Sequence, residues 1–162
     1  EGSRGLGDVY KRQFYLWGAM GGAVPMGIGL AVAQPEKRVL VITGDGELLM
    51  GLGSLTAAAA EGLPNMAIAV IDNERYGETG QQQTVTGRGA DLTAIAAASG
   101  FGTTKLVTDE ADIDAGVDLC RNATGPVLVT FKVSADPLPM ALPPKDGAYL
   151  KSRFREAVVG KS

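Results

Sequence analysis

Six consecutive apolar residues, Met66-Ala67-Ile68-Ala69-Val70-Ile71, run without interruption into Asp72 and Asn73. A strand with one face in water alternates apolar and polar residues, so an unbroken run reads as a central strand buried on both sides. A sheet built from such strands needs cover on both faces, and helices over parallel strands supply it. The rest of the chain agrees. Short β-rich runs at Val39 to Thr43, Gly102 to Lys105 and Pro126 to Val133 alternate with helical stretches at Val24 to Ala33, Leu49 to Glu61, Leu92 to Ser99, Asp109 to Asn122 and Ala148 to Val159. Leu49, Leu52, Leu55 and Ala59 recur at helical spacing, and Thr108 stands where a cap would precede acidic Asp109 and Glu110. The expected fold is α/β, a parallel sheet with helices on both faces.

A chain of 162 residues with 45% hydrophobic side chains suits one domain with a sizeable core. Ser3 to Gln13, reading SRGLGDVYKRQ, resembles the in-frame translation of a sequencing-library adapter. Residues 1–13 are therefore expected to be foreign to the domain, which would span 14–162 and be truncated at its amino end. Near the other end, SADPLPMALPPKD is too rich in proline for regular structure and reads as an extended connector to the last helix.

Charge and composition exclude several functions. The net charge is −3 and no run of lysine or arginine occurs, which argues against a nucleic-acid partner. The apolar runs are too short to span a bilayer, so no membrane partner and a cytoplasmic location are expected. Histidine is absent, which removes histidine triads and histidine metal sites. Cys120 is the only cysteine and reads as a packed small hydrophobe. Chemistry must then come from carboxylates, a cofactor or a partner.

Gly44-Asp45-Gly46 follows one strand and precedes a helix, and Asn73 follows the next strand 28 positions after Asp45. In open α/β sheets ligands lie beyond the carboxyl ends of the strands, so the two loops are expected to meet at one edge. A carboxylate and an amide oxygen brought together there form a sparse, hard donor set. Magnesium is usually held by one or two protein oxygens together with phosphate oxygens. Gly44 and Gly46 would let a diphosphate approach backbone amides at the helix start. A glycine-aspartate turn by itself has a purely conformational explanation. Its pairing with Asn73 and the following loop from Glu74 to Gly80 is more specific.

The stretch GDGELLMGLGSLTAAAAEGLPNMAIAVIDN resembles the cofactor motif of the thiamine diphosphate-dependent decarboxylase and acetolactate synthase superfamily. The resemblance implies that Asp45, Asn73 and the backbone carbonyl of Arg75 bind magnesium. It further implies that Gly44, Gly46, Glu47, Tyr76 and Gly77 surround the diphosphate of thiamine diphosphate. Asp72 departs from the pattern, since many members carry a second asparagine there. Glu47 departs too, standing where serine is frequent. Upstream, WGAMGGAVPMGIGLA resembles the segment that holds the aminopyrimidine ring. Gly18, Ala19 and Met20 would then line the ring, with carbonyls of Gly18 and Met20 on its amino group and the Met20 side chain between the two cofactor rings. The alternative is an ordinary glycine-rich start to a helix. FYLWGAMG, IDNERYGETG and LPPKDGAYLKSRF look nearest to the sulfopyruvate and phosphonopyruvate decarboxylases, in which the cofactor domain can be a separate β subunit.

That resemblance implies decarboxylation of a small 2-oxo acid, with the cofactor storing the electrons released by the departing carboxylate. It also implies a partner, because the glutamate that activates the cofactor belongs to a pyrimidine-binding domain. Such a domain is expected on a separate subunit or in an upstream region, within a hetero- or homo-oligomer. Glu78 is the candidate to face the substrate and assist proton transfer, with a plain exposed loop carboxylate as the alternative. A solvated loop accounts for Thr79, Gln81 and Gln82 as well as substrate contacts do. An acetolactate synthase-like carboligase and a non-catalytic scaffold subunit stand as further alternatives.

Overall fold

The computed structural model describes residues 11–16, 18–136 and 144–160. They fall into two compact units, Gly18–Asp136 and a smaller one drawn from Glu1–Trp17 and Pro137–Ser162. The larger unit carries the sheet. Helix α1 (Ala23–Ala33) leads to strand β1 (Val39–Gly44), α2 (Asp45–Met50), α3 (Ser54–Glu61) and β2 (Met66–Asp72). A hairpin of β3 (Arg75–Tyr76) and β4 (Gln82–Gln83) follows, then α4 (Leu92–Ala98), β5 (Thr103–Val107), α5 (Ile113–Asn122) and β6 (Val127–Lys132).

The main sheet has the order β1-β2-β6-β5, and each neighbouring pair is parallel. β2 thus sits between two strands, and Met66 to Val70 are buried as an uninterrupted apolar run requires. On one face Ile68, Val70 and Leu128 pack with Leu48, Leu55 and Leu92 from α2, α3 and α4. On the other, Ala67, Ala69, Val127 and Val129 pack around Cys120 of α5. The small alanines let the helix lie close, and Gly116 of α5 meets Phe131 and Val107 where a Cβ would stand 2.8 and 2.9 Å away. Burying one side chain such as Ile68 contributes about 1.5–3 kcal/mol.

Two helices depart from the spans read in the sequence by more than a residue or two. The single helix expected over Leu49 to Glu61 is two helices, because the chain turns at residues 51–53. Gly51 packs directly on the backbone of Gly21, where a Cβ at Gly51 would sit 2.3 Å from the Gly21 carbonyl oxygen. The helix expected from Asp109 starts instead at Ile113, after a 3-10 turn at Glu110–Asp112. Asp109, rather than Thr108, caps that turn through the Ala111 amide. The loop expected from Glu74 to Gly80 contains most of the β3–β4 hairpin.

In the smaller unit, α6 (Gly147–Val159) is capped by Asp146, which accepts from the Tyr149 amide. Phe14 meets Phe154 edge to face at 5.6 Å, and Arg153 lies 5.7 Å over the Tyr15 ring. Arg153 also donates to the carbonyl of Gln13 at 2.8 Å, so the stretch expected to be foreign touches α6 through its last residue. Residues 137–143 of the expected connector lie outside the described residues.

Candidate functional site

β1 and β2 run side by side with Gly44 opposite Ile71, so Asp45 and Asn73 leave the sheet at the same edge from adjacent strands. α2 begins at once after β1, which keeps Asp45 1% exposed. A buried carboxylate needs hydrogen-bond donors. Its Oδ2 accepts from the hydroxyl of Thr84 at 2.5 Å and from that of Thr86 at 3.2 Å, while no hydrogen bond among the described residues reaches Oδ1. Asn73 Oδ1 accepts from the Arg75 amide at 3.0 Å. That local turn uses one of the two lone pairs on the oxygen.

Thr86 also reaches a second carboxylate. Asp72, 3% exposed, accepts from Thr86 at 2.8 Å and from the Glu74 amide at 3.1 Å through Oδ1. Its Oδ2 pairs with Lys132 at 3.1 Å, and Lys132 also pairs with Glu74. Burial acts to lower the Lys132 ammonium, but hydrogen bonds to Glu74 and Asp72 outweigh it and hold the group above the ordinary lysine value. The aspartate at 72 is thus matched by a cation at the end of β6. Glu74 has φ of 60°, left-handed backbone that costs a non-glycine residue roughly 1–2 kcal/mol. Its amide on Asp72 and its carbonyl on the Thr84 amide offset that strain and fix the hairpin base.

Several expected site residues take positions that the sequence did not anticipate. Gly44 faces open space, with Ile71 O the nearest atom at 3.9 Å from a Cβ there. Gly46 does not. A Cβ on it would lie 2.6 Å from the Tyr76 ring, so its missing side chain makes room for Tyr76. The Glu47 side chain is not left over for a diphosphate either. Its Oε1 accepts from the amides of Gly21 and Ala23, each at 2.9 Å, and its Oε2 accepts from the Thr43 hydroxyl. Glu47 therefore anchors the turn before α1 to the end of β1, which explains a carboxylate at a position where serine is frequent.

That anchored turn carries Gly18, Ala19 and Met20, all exposed, with Gly18 at φ of 65° and Met20 46% exposed. The Ala19 carbonyl closes the turn by accepting from the Gly22 amide at 3.0 Å. Gly77 and Glu78 lie in the exposed 3-10 turn at the hairpin tip. Thr79 and Gln82 hydrogen-bond each other there, at 3.1 and 2.8 Å. Arg75 begins the hairpin, paired with Gln83.

Among the described residues no group of three or more histidine, cysteine, aspartate or glutamate side chains is arranged to hold a metal ion. One buried carboxylate with an oxygen to spare, beside one amide oxygen, instead fits a hard cation that brings phosphate oxygens of its own. Thr84, Thr86 and Lys132 were missed by sequence reasoning. The only local signal is the alternation Thr84-Val85-Thr86, whose partners lie about forty positions upstream at Asp45.

The sheet edge of this α/β unit thus gathers a buried carboxylate, an amide oxygen and an exposed hairpin. Residues 6–131 match the family described as thiamine pyrophosphate enzyme, C-terminal TPP binding domain, and the chain belongs to that family. The sulfopyruvate decarboxylase subunit beta of Methanothermobacter thermautotrophicus is 44% identical over 98 residues, 60% of this chain and 52% of that protein. The phosphonopyruvate decarboxylase of Streptomyces viridochromogenes is 34% identical over 152 residues, 93% of this chain and 38% of that protein. The chain therefore spans about half or less of these relatives' length. The thiamine diphosphate-dependent 4-hydroxybenzoylformate decarboxylase of Rhodococcus jostii RHA1 superposes with a TM-score of 0.62 at 22% identity, over 72% of this chain and 24% of that one, a likeness of fold. No helix among the described residues is long and apolar enough to cross a membrane.

Proposed function

We propose that this chain supplies the magnesium- and diphosphate-binding half of a thiamine diphosphate-dependent 2-oxo acid decarboxylase. The observation that carries the reading is the buried Asp45 carboxylate, with one oxygen tied to two threonine hydroxyls, leaving the sheet beside Asn73. Asp45, Asn73 and the Arg75 carbonyl would hold magnesium. Gly44, Gly46, Tyr76 and Gly77 would line the diphosphate, with Glu47 contributing through its backbone. Gly18, Ala19 and Met20 sit on a turn that Glu47 ties to the same sheet edge, which suits them to the aminopyrimidine ring. The bound cofactor would supply the electron sink that decarboxylation requires. The chain's own residues bind and orient it, and Glu78 at the exposed hairpin tip is the candidate to move a proton at the substrate.

The substrate class is a small 2-oxo acid bearing a second anionic group, as sulfopyruvate and phosphonopyruvate do. A pyrimidine-binding domain, on a partner subunit or an upstream region, completes the active site in a hetero- or homo-oligomer. A free, buried Cys120 suits a cytoplasmic setting. Calorimetry of the purified chain tests the binding half: heat of thiamine diphosphate binding that depends on magnesium is expected, and none with or without the partner would sink the reading. The chain alone is expected to be inactive. Carbon dioxide release by it from sulfopyruvate, phosphonopyruvate or pyruvate would contradict the shared site, and product analysis with the partner present separates decarboxylation from carboligation.

A further inference from the structure

We infer that Thr84 and Thr86 are positioning residues for Asp45: the Thr84 hydroxyl, supported by Thr86, fixes one carboxylate oxygen and leaves the other for a cation. The inference rests on the cation-site reading given above. Asp45, Thr84 and Thr86 are 1, 1 and 6% exposed, so water does not substitute for these contacts. A carboxylate turns easily about its terminal torsion, with only a broad preference to hold it. Magnesium tolerates little departure from octahedral geometry, so a carboxylate already fixed in place binds it better than one that must be ordered.

Counting protons assigns the two threonines unequal roles. Each hydroxyl has one proton. The 2.5 Å contact commits the Thr84 proton to Asp45 Oδ2. The single Thr86 proton faces three acceptors: Thr84 Oγ1 at 2.8 Å, Asp72 Oδ1 at 2.8 Å and Asp45 Oδ2 at 3.2 Å. Given to Asp72, the charged acceptor, it holds Thr86 in place beside Thr84; given to Thr84, it strengthens the Thr84 bond to Asp45 as part of a chain of hydrogen bonds. Asp72 does not depend on it, since the Glu74 amide and Lys132 serve that carboxylate. Thr84 is then the direct clamp and Thr86 its support. Both are placed by the backbone bond from the Thr84 amide to Glu74 O, which ties this segment to the residue after Asn73.

The test titrates magnesium into the full chain with excess thiamine diphosphate, and compares Thr84→Val, Thr84→Ser and Thr86→Val with the unmodified protein. Partners of metal ligands are typically worth roughly 10- to 100-fold in metal affinity. Thr84→Val is expected to weaken magnesium binding by that range, Thr84→Ser to restore it, and Thr86→Val to fall between. Melting temperatures without ligands are read in parallel, because a merely structural hydroxyl lowers them and leaves the affinity alone. Wild-type affinity in Thr84→Val, or equal weakening in Thr84→Ser, overturns the clamp. If Thr84→Val does not fold, Thr86→Val decides, and wild-type affinity there overturns the inference. If the unmodified chain binds no magnesium with thiamine diphosphate, with or without the partner, the cation-site reading falls first and the clamp with it.

Discussion

The two ends of the sheet use polar side chains in opposite ways. At the amino end, Arg38 donates to the carbonyls of Cys120, Pro64 and Leu119, and Asn65 donates to those of Ala31, Gln34 and Lys37. These donors are spent on backbone carbonyls at helix ends and turns. At the carboxyl end, the polar groups are acceptors as well as donors, and the accounting leaves a remainder. Asp45 keeps an oxygen outside the described hydrogen bonds, and Asn73 keeps a lone pair. The comparison teaches that spare acceptor capacity lies at the carboxyl end, where the proposed ligands would sit. The amino end is closed on itself.

Substitutions should separate the two ends. The largest effect is expected for Asp45→Ala, which removes the charged ligand: magnesium-dependent cofactor affinity should fall by about 100-fold or more, at or beyond the upper limit for lesser partners. Calorimetry reads it, and unchanged affinity would displace Asp45 from the site. Arg38→Ala should do the converse. Loss of a charged donor from three carbonyls is expected to cost about 2–3 kcal/mol of folding stability, measured by urea unfolding, with cofactor affinity unchanged. An affinity loss in that variant would break the contrast.

A smaller effect is expected at Gly46→Ala, where the added methyl meets the Tyr76 ring and should cost roughly 1–3 kcal/mol. Combining it with Tyr76→Ala relieves the clash, so a double-mutant cycle should show strong coupling. Additive effects would mean that the glycine serves something other than the ring. The smallest effect concerns Lys132. Its pKa is raised in the folded protein, so its contribution is fully present below about pH 10.4 and is lost as pH rises through the higher folded value. Unfolding free energy should decline there by about 0.5 kcal/mol more in the wild type than in Lys132→Met. Parallel curves would show that its ion pairs contribute nothing.

Much of this organisation was legible in the residue order. β2 covers the apolar run, and the sheet places it centrally, because burial of Met66 to Val70 on both faces leaves no polar residue to interrupt them; Ile71 alone of the run is exposed. That Asp45 and Asn73 leave the same sheet edge followed from two strands ending side by side in a parallel sheet. What escaped was contact between distant segments. Gly51 and Gly53 weaken the expected helix after Met50, but nothing in the local sequence shows that Gly51 packs on Gly21. Two-residue strands such as β3 and β4 are too short to show a period. Glu47 looked like a departure at the diphosphate and proved to be an anchor, because its partners lie 26 and 24 positions upstream.

By itself, then, the sequence determined the alternation of strands and helices and the sheet edge from which Asp45 and Asn73 leave, since both follow from local pattern and strand direction. Only the tertiary structure decided that Tyr76 fills the space over Gly46, that Thr84 and Thr86 hold Asp45, and that Lys132 answers the carboxylate at 72. Those are matters of which side chains share a buried volume. Burial makes each donor and acceptor find a partner, and the partner is chosen by proximity in space, which spacing along the chain does not encode.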